Sequence, residues 1–299
     1  MPTLKGQNFR VFLGESVVAK STNCTITLTG NTEDASTKDD IGMSSKPEVV
    51  SKSWSVNVES LDVTDTAAML NAIKNLTPFT IAWDETSTTD NQTALGAVFS
   101  RTGTAYLNDI TYSFNDRENS TKQIQFTGSG PLATRETPIT TDVILVNDVF
   151  TKGQFVRLFL SSDNSTAPSK VIAAAKSLSL HVSMQLENVT TKDTTGDWQI
   201  MEPTALSYDI STNALMRSGD TITSSVQAQT LAEIESIYEN SLPVKFQIAN
   251  VSGNNQRTKG SVLVSGSVVI TQLTLNGPNR QNATYDASFN GYGIYTVGS

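Results

Sequence analysis

The 299 residues include one histidine, His181, and one cysteine, Cys24, so acid–base, nucleophilic or metal chemistry would have to run almost entirely through carboxylates and hydroxyls. A Ser/His/Asp triad would need His181, which stands in the alternating run Leu180-His181-Val182-Ser183-Met184 without a Gly-x-Ser-x-Gly elbow, and it reads as a solvent-facing strand residue. Zinc needs several Cys or His ligands, which the chain does not have. Asp39-Asp40, after Thr37-Lys38, offers paired acids or a cation ligand, but the spacing fits no EF-hand. A similar Thr191-Lys192-Asp193 in the second half favours a solvated turn. Gly128-Ser129-Gly130-Pro131 is too short for a phosphate loop and reads as a strand end. No catalytic, cofactor-binding or metal-binding residue is therefore assigned. An enzyme using Asp and Glu alone is the rival class, with no spacing among the 29 acids that singles out a pair.

Against those 29 acids stand 21 Lys and Arg, a net charge of −8, which disfavours gripping nucleic acid or an anionic membrane. Hydrophobic residues make up 37% and charged residues 17%, with Ser, Thr and Asn filling much of the rest, a balance common in extended β proteins. The length suits two domains. Met1 to Asn8 lacks the apolar core of a secretory signal, and no run approaches the roughly 18 apolar residues of a membrane helix, so synthesis in the cytoplasm and no membrane anchoring are expected. Cys24 reads as a small buried apolar residue, and triplets such as Asn119-Ser120-Thr121 as accidents of a Thr-rich composition.

What positions these residues is a repeat. Gly6-Gln7-Asn8-Phe9-Arg10-Val11-Phe12-Leu13 shares five of eight positions with Gly153-Gln154-Phe155-Val156-Arg157-Leu158-Phe159-Leu160. Asn119 to Gly130 aligns without a gap to Asn282 to Gly293, with Asn, Thr, Phe, Gly and Gly coinciding. Between these anchors Val17-Val18-Ala19 answers Val171-Ile172-Ala173, Ser53-Trp54-Ser55-Val56 answers Ser207-Tyr208-Asp209-Ile210, and Leu107 to Thr111 answers Ile270 to Thr274. The offset grows from 147 to 163 residues, with the insertions expected around Ser161 to Lys170 and Leu215 to Ser225. Two domains follow, 1–137 and 148–299, with Ala133 to Asn147 as linker.

Within each copy the period is mostly two: Thr25 to Thr29, Ser53 to Val58, Ile110 to Phe114, Ile124 to Phe126, Leu178 to Leu186 and Val268 to Leu275 read as half-buried antiparallel strands. One helix per copy is predicted. The first is Asp65 to Leu76, with Met69, Ile73 and Leu76 on one face and a cap at Asp62 or Thr64; the second is roughly Ala228 to Tyr238, with Leu231, Ile234 and Tyr238 aligned. Each copy is expected to be a β-sandwich or open barrel with one packed helix. Long excursions run from Gly30 to Lys52 and from Glu187 to Leu206. They carry Ile41, Met43, Pro47 and Val49 in the first and Trp198, Ile200, Met201 and Pro203 in the second, apolar residues expected to meet a partner.

The Gly-Gln-x-x-Arg-x-Phe-Leu opening, the long loop between two strands, the mid-domain helix and the closing Phe-x-Gly-x-Gly resemble the major tail tube proteins of long non-contractile-tailed bacteriophages, in duplicated form. The likeness is densest over Gly103 to Gly130 and recurs over Gly266 to Gly293. It implies a structural virion protein, polymerising as stacked rings into a tail tube through which DNA passes. Where single-domain members form six-subunit rings, a two-domain chain would form trimeric, pseudo-sixfold ones. It further implies rings closed by edge strands, stacking through the eight loop residues and the N-terminal arm, an acidic lumen that repels DNA, and tail tip, tail terminator and tape-measure proteins as partners. The rival structural readings are a β-sandwich decoration or adhesion protein and the tube of a contractile injection machine.

Overall fold

The chain is described from a computed structural model covering residues 4–14, 16–18, 20–40, 44–61, 65–87, 95–96, 99–135, 151–172, 174–216, 228–252 and 258–298. The first half contributes β1 (Phe9–Leu13), β2 (Ser16–Val17), β3 (Ser21–Asp34), β4 (Pro47–Ser60), α1 (Thr66–Lys74), β5 (Phe79–Glu85), β6 (Arg101–Asn115) and β7 (Thr121–Thr134). The second contributes β8 (Val156–Leu160), β9 (Lys170–Ile172), β10 (Ala175–Asn188), β11 (Met201–Leu215), β12 (Ala228–Gln229), α2 (Leu231–Asn240), β13 (Val244–Ser252), β14 (Thr258–Asn276) and β15 (Thr284–Val297). The fold is mainly β, with one helix in each half among the described residues.

Pairing in the first half runs β2-β1-β5-β6-β7-β4-β3. The second half repeats it as β9-β8-β13-β14-β15-β11-β10, with β12 added beside β9. Irregularities recur at matching places: the register skips Asn108 in β6 and Thr271 in β14, and Thr22 in β3 and Lys176 in β10. Such bulges bend a strand and re-aim its side chains, so each half bends alike. The Phe-x-Gly pattern also acquires a reason. A Cβ on Gly128 would lie 2.1 Å from the Trp54 ring, and one on Gly291 would lie 2.5 Å from Tyr208, so only glycine lets each ring lie flat on the neighbouring strand. The rings are then tethered, Trp54 Nε1 donating to the Gly130 carbonyl (3.1 Å) and Tyr208 Oη to that of Ser267 (2.6 Å).

Three expectations shift. Helix α2 begins at Leu231, not Ala228, because residues 228–229 pair with β9 and Thr230 closes a capping box with Glu233. Its buried face is Ile234 and Ile237, leaving Tyr238 exposed, and Leu76 lies exposed beyond the end of α1. The long excursions are largely strand: β3 continues to Asp34 and β4 starts at Pro47, while β10 continues to Asn188 and β11 starts at Met201. These strand ends show no period-two signal because neither side covers a core: residues 29–34 and 47–50 are exposed throughout. The proposed helix caps at Asp62 or Thr64, most of the linker, and much of the insertion at Leu215 to Ser225 lie outside the described residues.

The short connectors that remain, 35–46 as far as it is described and 189–200, share a pattern at their ends. Asp34 and Asn188 each accept from the residue two further on, Ser36 and Thr190. Those residues' hydroxyls in turn accept from the Lys46 and Ile200 amides, at 3.0 and 2.8 Å. Asp40 is occupied by Lys46 and the Thr37 amide, which makes this segment a hydrogen-bonded turn; among the described residues no cluster of metal-ligating side chains occurs.

Candidate assembly interface

The two halves join through one strand pair. β6 changes partner along its length: residues 101–105 pair with β5, and residues 109–115 pair with β10 of the other half. In this seam Val182 faces Ile110, His181 faces Thr111, and Leu180 faces Tyr112. Because both strands alternate, one face of the seam is wholly apolar. Ile110, Tyr112, Phe114, Leu178, Leu180 and Val182 are all buried there, within a core continuous across both halves. Burying side chains of this size stabilises by about 1.5–3 kcal/mol each.

On the opposite face His181 bridges three strands, with Nδ1 2.6 Å from Asp209 of β11 and Nε2 2.7 Å from Asp109 of β6. Burial opposes charge on the imidazole, but hydrogen bonds to Asp109 and Asp209 prevail and its pKa is raised. Both ring nitrogens can donate only in the protonated form, so the bridge is complete as an imidazolium between two carboxylates. The lone histidine therefore ties strands of the two halves together. Sequence reading missed this because the aspartates lie 72 and 28 residues away.

Three further contacts close the seam. Tyr295 of β15 donates to the Leu70 carbonyl of α1 (2.7 Å), so the first half's helix is covered by the second half's last strand. Gly153, in the turn before β8, packs against the end of β6, where a Cβ would lie 2.3 Å from the Asn115 carbonyl oxygen. The 189–200 connector lies along β4 and β7. Lys52 N donates to Asp197 O (2.6 Å), Gln199 N to Lys52 O (2.9 Å) and Gly130 N to Gln199 O (2.8 Å).

The residues expected to stack rings divide accordingly. Ile41 and Met43 lie outside the described residues. Pro47 and Val49 are exposed on β4 and not in a loop. Trp198 and Ile200 lie in the second connector, and Met201 and Pro203 on β11, all half-buried. Trp198 packs against the shared core, and Met201 N donates to Ser129 Oγ of β7 (2.9 Å). Trp198 and Met201 are thus held on the first half, whereas Pro47 and Val49 stand exposed.

The outer ends of the chain differ from the seam in one respect. Among the described residues β3 pairs with β4 alone, and residues 269–276 of β14 pair with β15 alone, so each presents an unpaired edge. Between them runs an eight-stranded ribbon, β3-β4-β7-β6-β10-β11-β15-β14. The ribbon's face away from the core carries Glu59, Asp109, Asp209, Asp286 and His181 among Ser, Thr, Asn and Gln. Over residues 21–29, 53–60, 109–115, 121–127, 177–185, 207–213, 272–276 and 284–290 the one Lys or Arg is Lys122, which is buried and ion-paired with Asp65. Over these stretches that face is therefore polar, acidic and without an exposed lysine or arginine.

Residues 152–297 match the family model described as phage tail tube protein. A search of curated protein sequences gives no match. Among solved structures the chain is similar to the tail of an empty gene transfer agent particle, with 16% identity and TM-score 0.38 over 48% of this chain and 95% of that one. It is similar also to a chain of the native gene transfer agent virion (15%, TM-score 0.36, 50% and 99%) and to one of the SPP1 tail tube (17%, TM-score 0.37, 49% and 78%).

Proposed function

We propose that this chain, whose residues 152–297 match the family model described as phage tail tube protein, is a structural tail tube protein that builds the tube from copies of itself, three chains to a ring. The observation that carries this reading is the ribbon with two open ends. Unpaired strand edges are templates for another chain, and a closed ring of identical subunits satisfies every such edge while leaving none to nucleate aggregates. Each chain supplies two units, 1–137 and 148–299, so three chains set six units around the axis.

Ring closure also orients the ribbon. Helix α1 lies on its apolar side, tied by Tyr295 to β15, and a ring closed with that side inside would fill its own channel. The polar face then lines the lumen, where its carboxylates repel the phosphate backbone and leave no Lys or Arg to hold it. DNA would slide through such a wall without binding it. Stacking falls to the exposed outer end of the β3–β4 hairpin, including Pro47 and Val49 of β4. Tail tip, tail terminator and tape-measure proteins are the further partners, and the chain performs no catalysis. The test is negative-stain electron microscopy of the purified protein at high concentration with its mass in solution. Hollow tubes with three chains per ring are expected, and a protein that stays monomeric with or without a tail-tip initiator would sink the reading.

A further inference from the structure

We infer that the seam within the chain is the template for the contact between chains, and that it fixes which residues of β14 meet which residues of β3 in the next copy; this rests on the ring reading above. The matching bulges and pairings set the equivalences. Val182 pairs near Tyr208 as Leu28 pairs near Trp54, so Leu28, Thr27 and Ile26 stand where Val182, His181 and Leu180 stand. Beyond the bulges at Asn108 and Thr271, Leu273, Thr274 and Leu275 stand where Ile110, Thr111 and Tyr112 stand. Carrying the register of the seam across, Leu28 meets Leu273, Thr27 meets Thr274, and Ile26 meets Leu275 of the neighbouring chain.

Exposure marks the same positions. Val182 and Tyr112 are 0% exposed in the seam, whereas their counterparts Leu28 and Leu275 are 61% and 48% exposed. Ile73 of α1, under the cover that β15 provides, is 1% exposed, and Tyr238, its counterpart on the uncovered α2, is 45% exposed. A large apolar side chain left in water where its repeat-mate is buried is missing a neighbour, not a fold.

A glycine gives an independent sign. Gly153 must be glycine because the end of β6 lies on it, but Gly6, its mate in the repeated Gly-Gln, has nothing within 4 Å of where a Cβ would be. In the ring the end of β14 from the preceding chain fills that space, and Gly6 needs to be glycine there for the reason Gly153 does.

The test uses full-length chain with Cys24→Ser, Thr27→Cys and Thr274→Cys, assembled into tubes and mildly oxidised; directly opposed strand residues lie within disulfide reach. Covalent species between chains, ending at three on a non-reducing gel, are expected. Tubes that cross-link with Thr27→Cys and Gln272→Cys but not with Thr274→Cys would overturn the register while leaving the tube intact, and a parent protein that never assembles would remove both. Gly6→Ala should leave the melting temperature of the unassembled protein unchanged and abolish tubes; tubes of normal yield would overturn the inference.

Discussion

Where β6 meets β10, the alternating Ile, Tyr and Leu side chains are covered; at the outer edges of β14 and β3, residues in the same register stand in water. The strands in the two places have the same bulges, partners and alternation. What differs is that a linked second copy is always present at the seam. The burial of these apolar residues is therefore decided by what lies across the strand edge, and on the inference above Leu28 and Leu275 await a neighbouring chain. Chemistry differs too: the His181 bridge has no counterpart at the edges, where Thr27, Gln272 and Ser55 hold the positions of His181, Asp109 and Asp209.

The comparison breaks most visibly through size. Leu180→Ala at the seam should cost about 2–5 kcal/mol in urea denaturation of the unassembled protein. Leu28→Ala should stay within about 0.5 kcal/mol in the same measurement but lower tube yield. Equal losses in both would mean that the edge already has a partner inside the chain.

A smaller effect is expected from Gly153→Ala, whose Cβ has to displace backbone: about 1–3 kcal/mol by the same denaturation, against none for Gly6→Ala. Tyr295→Phe, which frees the Leu70 carbonyl from its cross-half hydrogen bond, should cost about 0.5–1.5 kcal/mol, with hydrogen exchange in α1 rising more than in α2.

The smallest effect is the one that depends on pH. With its pKa raised in the folded chain, His181 contributes its full stabilisation below about pH 6.5, and the contribution fades as pH rises through the raised value. His181→Gln should therefore lower the melting temperature at pH 5.5 and hardly at all at pH 9, by an amount equivalent to about 1 kcal/mol or less for so exposed a bridge. A variant equally destabilised at both pH values would show that the imidazole acts by packing.

Much of this was legible in the residues. The collinear repeats, from Gly6-Gln7 to Phe289-Asn290-Gly291, anticipate the strand order that both halves follow, and Gly128, Gly153 and Gly291 recur where a ring or a backbone occupies the place of a side chain. The alternation in 178–186 locates β10 because one face of that strand covers the core. The Thr- and Ser-rich ends of β3 and β4 were illegible as strands, since a strand that buries neither face has no reason to alternate. The seam was hidden differently. Leu28 and Val182 look identical as members of an alternating run, and only the three-dimensional pairing reveals that one has a strand beyond it. The second connector shows the same limit: Trp198, expected to meet another chain, packs against the core shared by the two halves of its own chain.

On this reading the chain's internal seam and the contact between chains are one interface used twice. Electron cryomicroscopy of assembled tubes, at a resolution that separates strands, tests it most directly. Rings of three chains are expected, in which residues 269–276 of each β14 pair antiparallel with β3 of the next, with Leu28 opposite Leu273. Rings in which β3 remains unpaired, or in which β14 meets any other strand, would contradict it.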